Sequence, residues 1–403
     1  MEYTLLKNIA VITMGQSPSS SSYNEEGVGI PFYQGNADFG ELYPTARIWC
    51  DEPKKIANKN DILISVRAPI GALNYATEQC CIGRGLASIT VKDEALRNYV
   101  FHLLKANRNK LINQGSGSTF KAIGKSNLEE IRIPIVDEMT QKKIMNLMDA
   151  TEQTIRQRQI ELQLFDDLIK ARFVEMFGDP KANPFEWITS TVGELILSCE
   201  AGWSGNGKQR KKKDGEIAVL KVSAVTKGYF DSDECKVLDD QDIIKKYVYP
   251  QAGDLLFSRA NTREMVGATA VITQDYPEHI LSDKLWSVRF CDAANVWYMK
   301  YVLSSKSIRS IFSSVSNGTS GSMFNVSMGK FKSIRIPLPP IELQQQFADF
   351  VAQVDKSKAA VQKALDETQL LFDSLMQEYL GSEGRFVKDY KQWLVERFII
   401  ERK

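Results

Sequence analysis

The chain of 403 residues repeats itself, and this repeat constrains its fold more than any composition figure. From Glu130 it reads EIRIPIVDEMTQKKIMNLM, and from Ser333 it reads SIRIPLPPIELQQQFADFV. Each passage runs through I-R-I-P, a short acidic or proline-rich link and a glutamine into an apolar series at helical spacing. Earlier passages match in the same order. NDILISVRAPIGAL from Asn60 resembles GDLLFSRANTREMVGAT from Gly253, and GSTFKAIGKSNLEEIRIP from Gly117 resembles GSMFNVSMGKFKSIRIP from Gly321. YTLLKNIAVITMGQS from Tyr3 parallels WITSTVGELILSCEAGWS from Trp187. Self-similarity at one large offset means two copies of one unit, each a globular lobe followed by a helix.

Inside the lobes the apolar runs are short and β-rich, and Gly, Asn, Ser and Pro punctuate them. One helix-like segment stands in each lobe, around LRNYVFHLLKANRNKL and VWYMKYVLSSKSIRSIF. Each lobe therefore reads as α+β. After I-R-I-P the period changes. Met148, Thr151, Ile155, Arg158, Leu162, Phe165, Ile169, Arg172 and Met176 are spaced alternately by three and four. The same holds for Phe347, Phe350, Val354, Ser357, Val361, Ala364, Thr368, Leu371 and Leu375. This is heptad spacing sustained over four heptads. Pro134, Pro337, Pro339 and Pro340 end the strands and suit helix starts, while Gly178 and Gly381 stand where C-terminal caps belong. A helix of ~35 residues is ~50 Å long, and two such helices would bury their stripes against each other. The expected segments are a lobe at 1–134, a helix at 135–178, a second lobe at 179–338, a second helix at 339–380 and a tail at 381–403.

Composition is that of a globular protein, with 43% apolar and 25% charged residues. A chain this long is expected to form two or three domains. No apolar run approaches the ~20 residues of a membrane span, and MEYTLLKNIA lacks the regions of a signal peptide, so a cytoplasmic location is expected. Cys50, Cys80, Cys81, Cys199, Cys235 and Cys291 form no C-x-x-C, which leaves reduced structural thiols and no zinc site. His102 and His279 are the only histidines, little material for histidine-based catalysis. Net charge is +1 overall, but +2 over 1–134, −2 over 135–178, +3 over 179–338 and −2 over 339–403. An anionic ligand belongs to the lobes.

GKQRKKKDGE carries Lys208, Arg210, Lys211, Lys212 and Lys213, a run suited to phosphate and equally to a solvated loop. Arg67 and Arg259 follow the matched β-run. Either grips guanine or phosphate, or forms a structural ion pair with Asp61 and Asp254. Arg84 and Lys284 stand in corresponding places before a strand. The Gly/Ser/Thr loops QGSGSTFKAIGKS and SNGTSGSMFNVSMGK suit close approach to a phosphate backbone but are not P-loops. NPFEW lacks the second proline of the adenine-methyltransferase loop, and DEPKK lacks the Pro-Asp of a nuclease metal pattern. No paired-carboxylate, Ser-His-Asp or Cys-His set assembles.

Two lobes closing with G-S-x-F and I-R-I-P, each followed by a glutamine-bearing coiled-coil helix, resemble the DNA-specificity subunit of type I restriction–modification enzymes. The linker FGDPKANPFEW adds to the likeness, which runs to about residue 380 and leaves the tail unmatched. The resemblance implies two target-recognition domains, each reading half of a split, asymmetric sequence in double-stranded DNA. It implies an antiparallel helix pair relating the copies by a pseudo-twofold and setting the gap between half-sites. Implied partners are two methyltransferase subunits for adenine N6 methylation and, in systems that cut, two restriction-translocase subunits. The chain itself would be non-catalytic and would bind no cofactor; S-adenosylmethionine would sit on the methyltransferase, and ATP and Mg on the restriction partner. The role would be phage defence. Candidate DNA-binding residues are Ser17, Arg67, Arg84, Lys121 and Lys125 in the first lobe. In the second they are Ser204, Lys208, Arg210, Lys211, Lys212, Lys213, Arg259, Arg263, Lys284 and Ser320. The rival readings are a coiled-coil adaptor that does not touch DNA, and a self-contained methyltransferase or nuclease.

Overall fold

The computed structural model describes residues 2–116, 121–210, 212–213, 215–238, 244–315, 317–318 and 324–380. It divides into two compact units, Met1–Gln159 with Lys363–Lys403, and Ile160–Gln362. Each unit holds one lobe with part of each long helix.

In the first unit the central sheet is antiparallel, in the order Ala10–Met14, Leu86–Val91, Ile62–Ser65, Leu73–Tyr75. Ile62–Ser65 is buried at every position, which is why it reads as a continuous apolar run rather than an alternating one. A five-stranded sheet contains a parallel pair, Ile30–Tyr33 beside Cys80–Ile82. A two-stranded ribbon joins Tyr3–Leu5 to Arg132–Pro134. The I-R-I-P motif is thus a closing strand: it returns the end of the lobe to its beginning, immediately before the long helix.

The second unit repeats the plan. Its central sheet runs Ile196–Ala201, Leu285–Phe290, Leu255–Ser258, Thr269–Val271. A second sheet carries the parallel pair Ala218–Leu220 and His279–Leu281, and a ribbon pairs Thr189–Thr191 with Arg335–Pro337. The lobe helices, Arg97–Ala106 and Val296–Ser304, are hooked to the closing strands by one tyrosine each. Tyr99 Oη donates to Pro134 O at 3.2 Å, and Tyr298 Oη to Pro337 O at 2.7 Å.

The long helices span Glu138–Phe177 and Ile341–Leu375. Asp137 caps the first, accepting from Thr140 N at 3.0 Å and Thr140 Oγ1 at 2.6 Å. Gly178 ends it at φ +71°, the left-handed region that favours glycine. Gly381 lies outside the described residues. The repeated glutamine ties each helix start to the preceding link: Gln141 Nε2 donates to Val136 O at 2.9 Å, and Gln344 Nε2 to Pro339 O at 2.8 Å. Within each unit the helices pair antiparallel. In the first, Arg158 reaches Ala364 O and Thr368 Oγ1, which satisfies a charge lying inside the heptad series. In the second, Lys358 meets Asp166 at 2.5 Å, and Phe177 meets Phe347 with ring centroids 5.6 Å apart.

Met148, Ile155, Ile169, Phe347, Val354 and Leu375 are buried. Leu162, Phe165, Phe350, Val361 and Leu371 are half-buried. The buried stripe is wider than the heptad series, since Phe173, Phe177, Val351, Phe372 and Met376 also join the cores. The reason is packing on two sides: each helix segment faces its lobe as well as the other helix.

Candidate nucleic-acid interface

The loops at one end of the central sheet repeat as closely as the strands do. In the first lobe Gly15 N donates to Leu86 O and Gln16 N to Ile82 O, both at 2.9 Å. In the second, Gly202 N donates to Leu285 O at 3.4 Å and Trp203 N to Leu281 O at 2.9 Å. A Cβ on Gly15 would overlap Gly83 O, and one on Gly202 would overlap Leu281 O, so glycine is needed in both copies for close backbone approach. Two residues after each glycine stands a serine. Ser17 Oγ accepts from Arg84 N at 3.4 Å, and Ser204 Oγ accepts from Asp283 N at 3.2 Å and donates to Asp283 Oδ1 at 2.5 Å. The structure therefore brings Ser17 to Arg84 and Ser204 to the turn before Lys284.

These bonds correct the sequence alignment of the two lobes by one residue. Val66 N donates to Gly85 O at 2.9 Å, where Arg259 N donates to Lys284 O at 3.0 Å. Arg259 thus corresponds to Val66 and Lys284 to Gly85, while Arg84 corresponds to Asp283 and Arg67 to Ala260. Arg84 and Lys284 do not occupy corresponding places, and neither do Arg67 and Arg259. The ion-pair reading fails too. Asp61 accepts from Asn58 N at 2.8 Å and Ser88 Oγ at 2.6 Å. Asp254 accepts from Ser287 Oγ at 2.7 Å and pairs with Arg289 at 2.6 Å. The repeated aspartate locks a turn and holds neither Arg67 nor Arg259.

In the first lobe Arg67 and Arg84 are exposed. Arg67 bridges to Ala122, the neighbour of exposed Lys121, so these two candidates come together. Lys125 opens the short helix Lys125–Glu129 and pairs with Glu129 at 3.4 Å. Tyr23 joins Ser17 and Arg84: burial pushes its hydroxyl above the ordinary value, while hydrogen bonding to Ser17 and the Arg84 charge pull it down.

In the second lobe the arginines lie on aromatic faces. Arg259 is 5.9 Å from the Trp286 ring centroid, and exposed Arg263 is 5.9 Å from that of Phe324. Among the described residues, four buried polar atoms around them have no hydrogen-bond partner: Ser258 Oγ, Arg259 Nε, Asn261 Nδ2 and Ser282 Oγ. The contrast with the first lobe is direct. Ser65, the counterpart of Ser258, donates to Pro69 O at 2.6 Å and accepts from Ala72 N at 3.0 Å. Sequence reading passed over Asn261, Ser258 and Ser282; only their place beside Arg259 signals them.

The basic loop is partly neutralised from within. Arg210 forms a two-bond pair with Glu216 at 2.7 and 2.8 Å, which holds the Glu216 carboxyl down at about 2. Lys212 pairs with Glu278. Lys208 and Lys213 are exposed. Lys211 and Ser320 lie outside the described residues.

The family described as Type I restriction modification DNA specificity domain matches residues 1–164 and again 184–368. The chain belongs to that family. It is 47% identical over 145 residues to a Methanocaldococcus jannaschii protein named as the specificity subunit of the type I restriction enzyme MjaX, covering 36% of this chain and 34% of that protein. To the EcoKI specificity subunit of Escherichia coli it is 22% identical over 370 residues, 87% of this chain and 79% of that one. The chain spans about a third of the MjaX protein's length. A crystal structure of a type I restriction–modification S subunit from M. genitalium shares the fold, with TM-score 0.51 at 15% identity over 94% of this chain and 95% of that one. Among the described residues no helix is long and apolar enough to cross a membrane.

Proposed function

We propose that this chain is the DNA-specificity subunit of a type I restriction–modification complex. Each lobe reads one part of a bipartite, asymmetric target in double-stranded DNA. The helical segments seat two methyltransferase subunits, which carry S-adenosylmethionine and methylate adenine at N6; restriction-translocase subunits, using ATP and Mg, join them where cutting occurs. The chain contributes recognition and positioning, with no catalytic step of its own.

Family membership supports the reading, and one observation carries it to the residue level. The two lobes keep the same loop frame, down to the glycine and serine that lock it, yet present different side chains at matched positions. Arg84 stands where the other lobe has Asp283, Gly85 where it has Lys284, and Val66 where it has Arg259. One frame with two faces suits two different sequences. Arginine and lysine at such loops serve base edges and phosphates. Each unmatched buried atom in the second lobe costs about 1–3 kcal/mol, a cost that a polar ligand would relieve.

The test is a genome-wide N6-methyladenine map in methylation-free cells that express this chain with its neighbouring methyltransferase subunit, with each alone as a control. A bipartite motif that needs both chains is expected. No motif from a stable complex would favour a protein-binding adaptor, and a motif from this chain alone would make it an enzyme.

A further inference from the structure

The internal repeat supplies a control for one feature of the second unit. The tyrosine hooks fix the register of the lobe helices, so Tyr99 corresponds to Tyr298. Two positions on, Phe101 corresponds to Lys300, and His102 to Tyr301. The sheet fixes a second pair: Ser65 N donates to Ala72 O and Ser258 N to Ala268 O, which sets Tyr75 against Val271. In the first unit Tyr75 and Phe101 stack, with centroids 4.4 Å apart, and fill the space between sheet and helix. In the second unit Val271 and Lys300 stand there instead. Both line a cavity of about 490 Å³. A neighbouring cavity of about 600 Å³ shares Lys170, Lys227, Lys300 and Tyr301.

Its walls are of two kinds. Tyr276, packed edge-on against Phe230 at 4.7 Å, joins Trp297 and Tyr301 as an aromatic wall. The other wall carries four lysines, Lys170, Lys227, Lys300 and Lys358, against two carboxylates, Asp166 and Asp355. Lys358 is held by Asp166 at 2.5 Å, Lys227 by Asp231 at 2.9 Å and Lys170 by Asp167 at 3.0 Å. Among the described residues Lys300 has no carboxylate within ion-pairing distance; its Nζ lies 3.9 Å from the Tyr301 ring centroid. Burial pushes its ammonium down to about 8, against the pull of Asp355. A half-buried ammonium with no carboxylate in direct contact is costly, and the fold does not demand one, because the first unit meets the same position with Phe101. Ligand pockets commonly enclose ~300–1,000 Å³, with aromatic walls and few convergent polar groups.

We propose that this cavity binds a small organic anion carrying a planar ring, of the nucleotide class, with the ring against Tyr276, Trp297 and Tyr301 and the anionic group on Lys300. The site is separate from the DNA-reading loops and does not depend on that assignment.

Calorimetric titration of the full chain tests it, with adenosine monophosphate, adenosine and inorganic phosphate as probes. The monophosphate is expected to saturate one site, at least about tenfold tighter than either fragment. Lys300→Gln and Lys300→Met each weaken it about tenfold. Lys300→Met also raises the melting temperature, which shows the fold intact. The proposal is overturned by no saturable binding up to about 1 mM, by equal binding in wild type and both variants, or by a fragment that binds as well as the monophosphate. The methylation motif is read separately, so its loss with ligand binding intact would strike the DNA assignment alone.

Discussion

Gly202 and Ser204 hold the second lobe's loop layer in different ways. The glycine lets two strands approach closer than any side chain allows, and the serine fixes the turn through Asp283. Gly202→Ala should cost about 1–3 kcal/mol, the scale of overpacking, read as a lower denaturant midpoint. Gly329→Ala is the matched control. It lies in the short helix Met328–Lys332 with open space around it, and alanine there should stabilise by about 0.5–1 kcal/mol. At this scale the sequence showed that G-x-S recurs, because a backbone requirement leaves a residue signature. It did not show which side chains correspond between lobes. Arg84 and Lys284 take successive positions in the turn that precedes the matched strand, so the one-residue slip between them changes what each can reach. Only the backbone hydrogen bonds settle that register.

The closing strands and long helices were the most legible elements. I-R-I-P recurs because each lobe must be tied shut where its helix begins, and glutamine recurs because Gln141 and Gln344 bond back to the link. Heptad spacing pointed to part of the buried stripe and missed Phe173, Phe177 and Phe372, which pack in the lobe cores. Phe347 is fully buried among Phe173, Phe177 and Tyr301. Phe347→Ala should therefore cost about 3–5 kcal/mol. Leu162→Ala, at a half-buried position, should cost clearly less; unfolding curves of the two variants give the comparison. A pH effect belongs to the same scale. His102, on the first lobe helix, faces Asp149 at 3.1 Å and Glu152 at 3.7 Å, with Lys105 and Phe101 beside it. Burial lowers its proton affinity below the ordinary value despite those carboxylates. The unfolded chain then binds the proton more tightly, so the histidine's contribution is complete above about pH 6.5 and is lost as pH falls. His102→Gln should flatten the dependence of stability on pH between about 6.5 and 5.

For the whole molecule the duplicated order of lobe, closing strand and helix was plain in the sequence. The difference between the copies was not, because it lies in which residues fill one shared frame. Tyr75 with Phe101 becomes Val271 with Lys300, and a filled core becomes a cavity. Val66 becomes Arg259, and a partnered serine becomes an unmatched one. On the proposed function, the difference between the loops, Arg84 against Asp283 and Val66 against Arg259, reads an asymmetric target, one lobe to each part. The direct measurement is the N6-methyladenine map of the assembled methyltransferase carrying Arg84→Ala or Arg259→Ala. Arg84→Ala is expected to relax or shift only one half of the motif and Arg259→Ala only the other, each lost contact worth about 1–3 kcal/mol of discrimination. Variants that lower methylation equally at every site, or leave both halves unchanged, would contradict it.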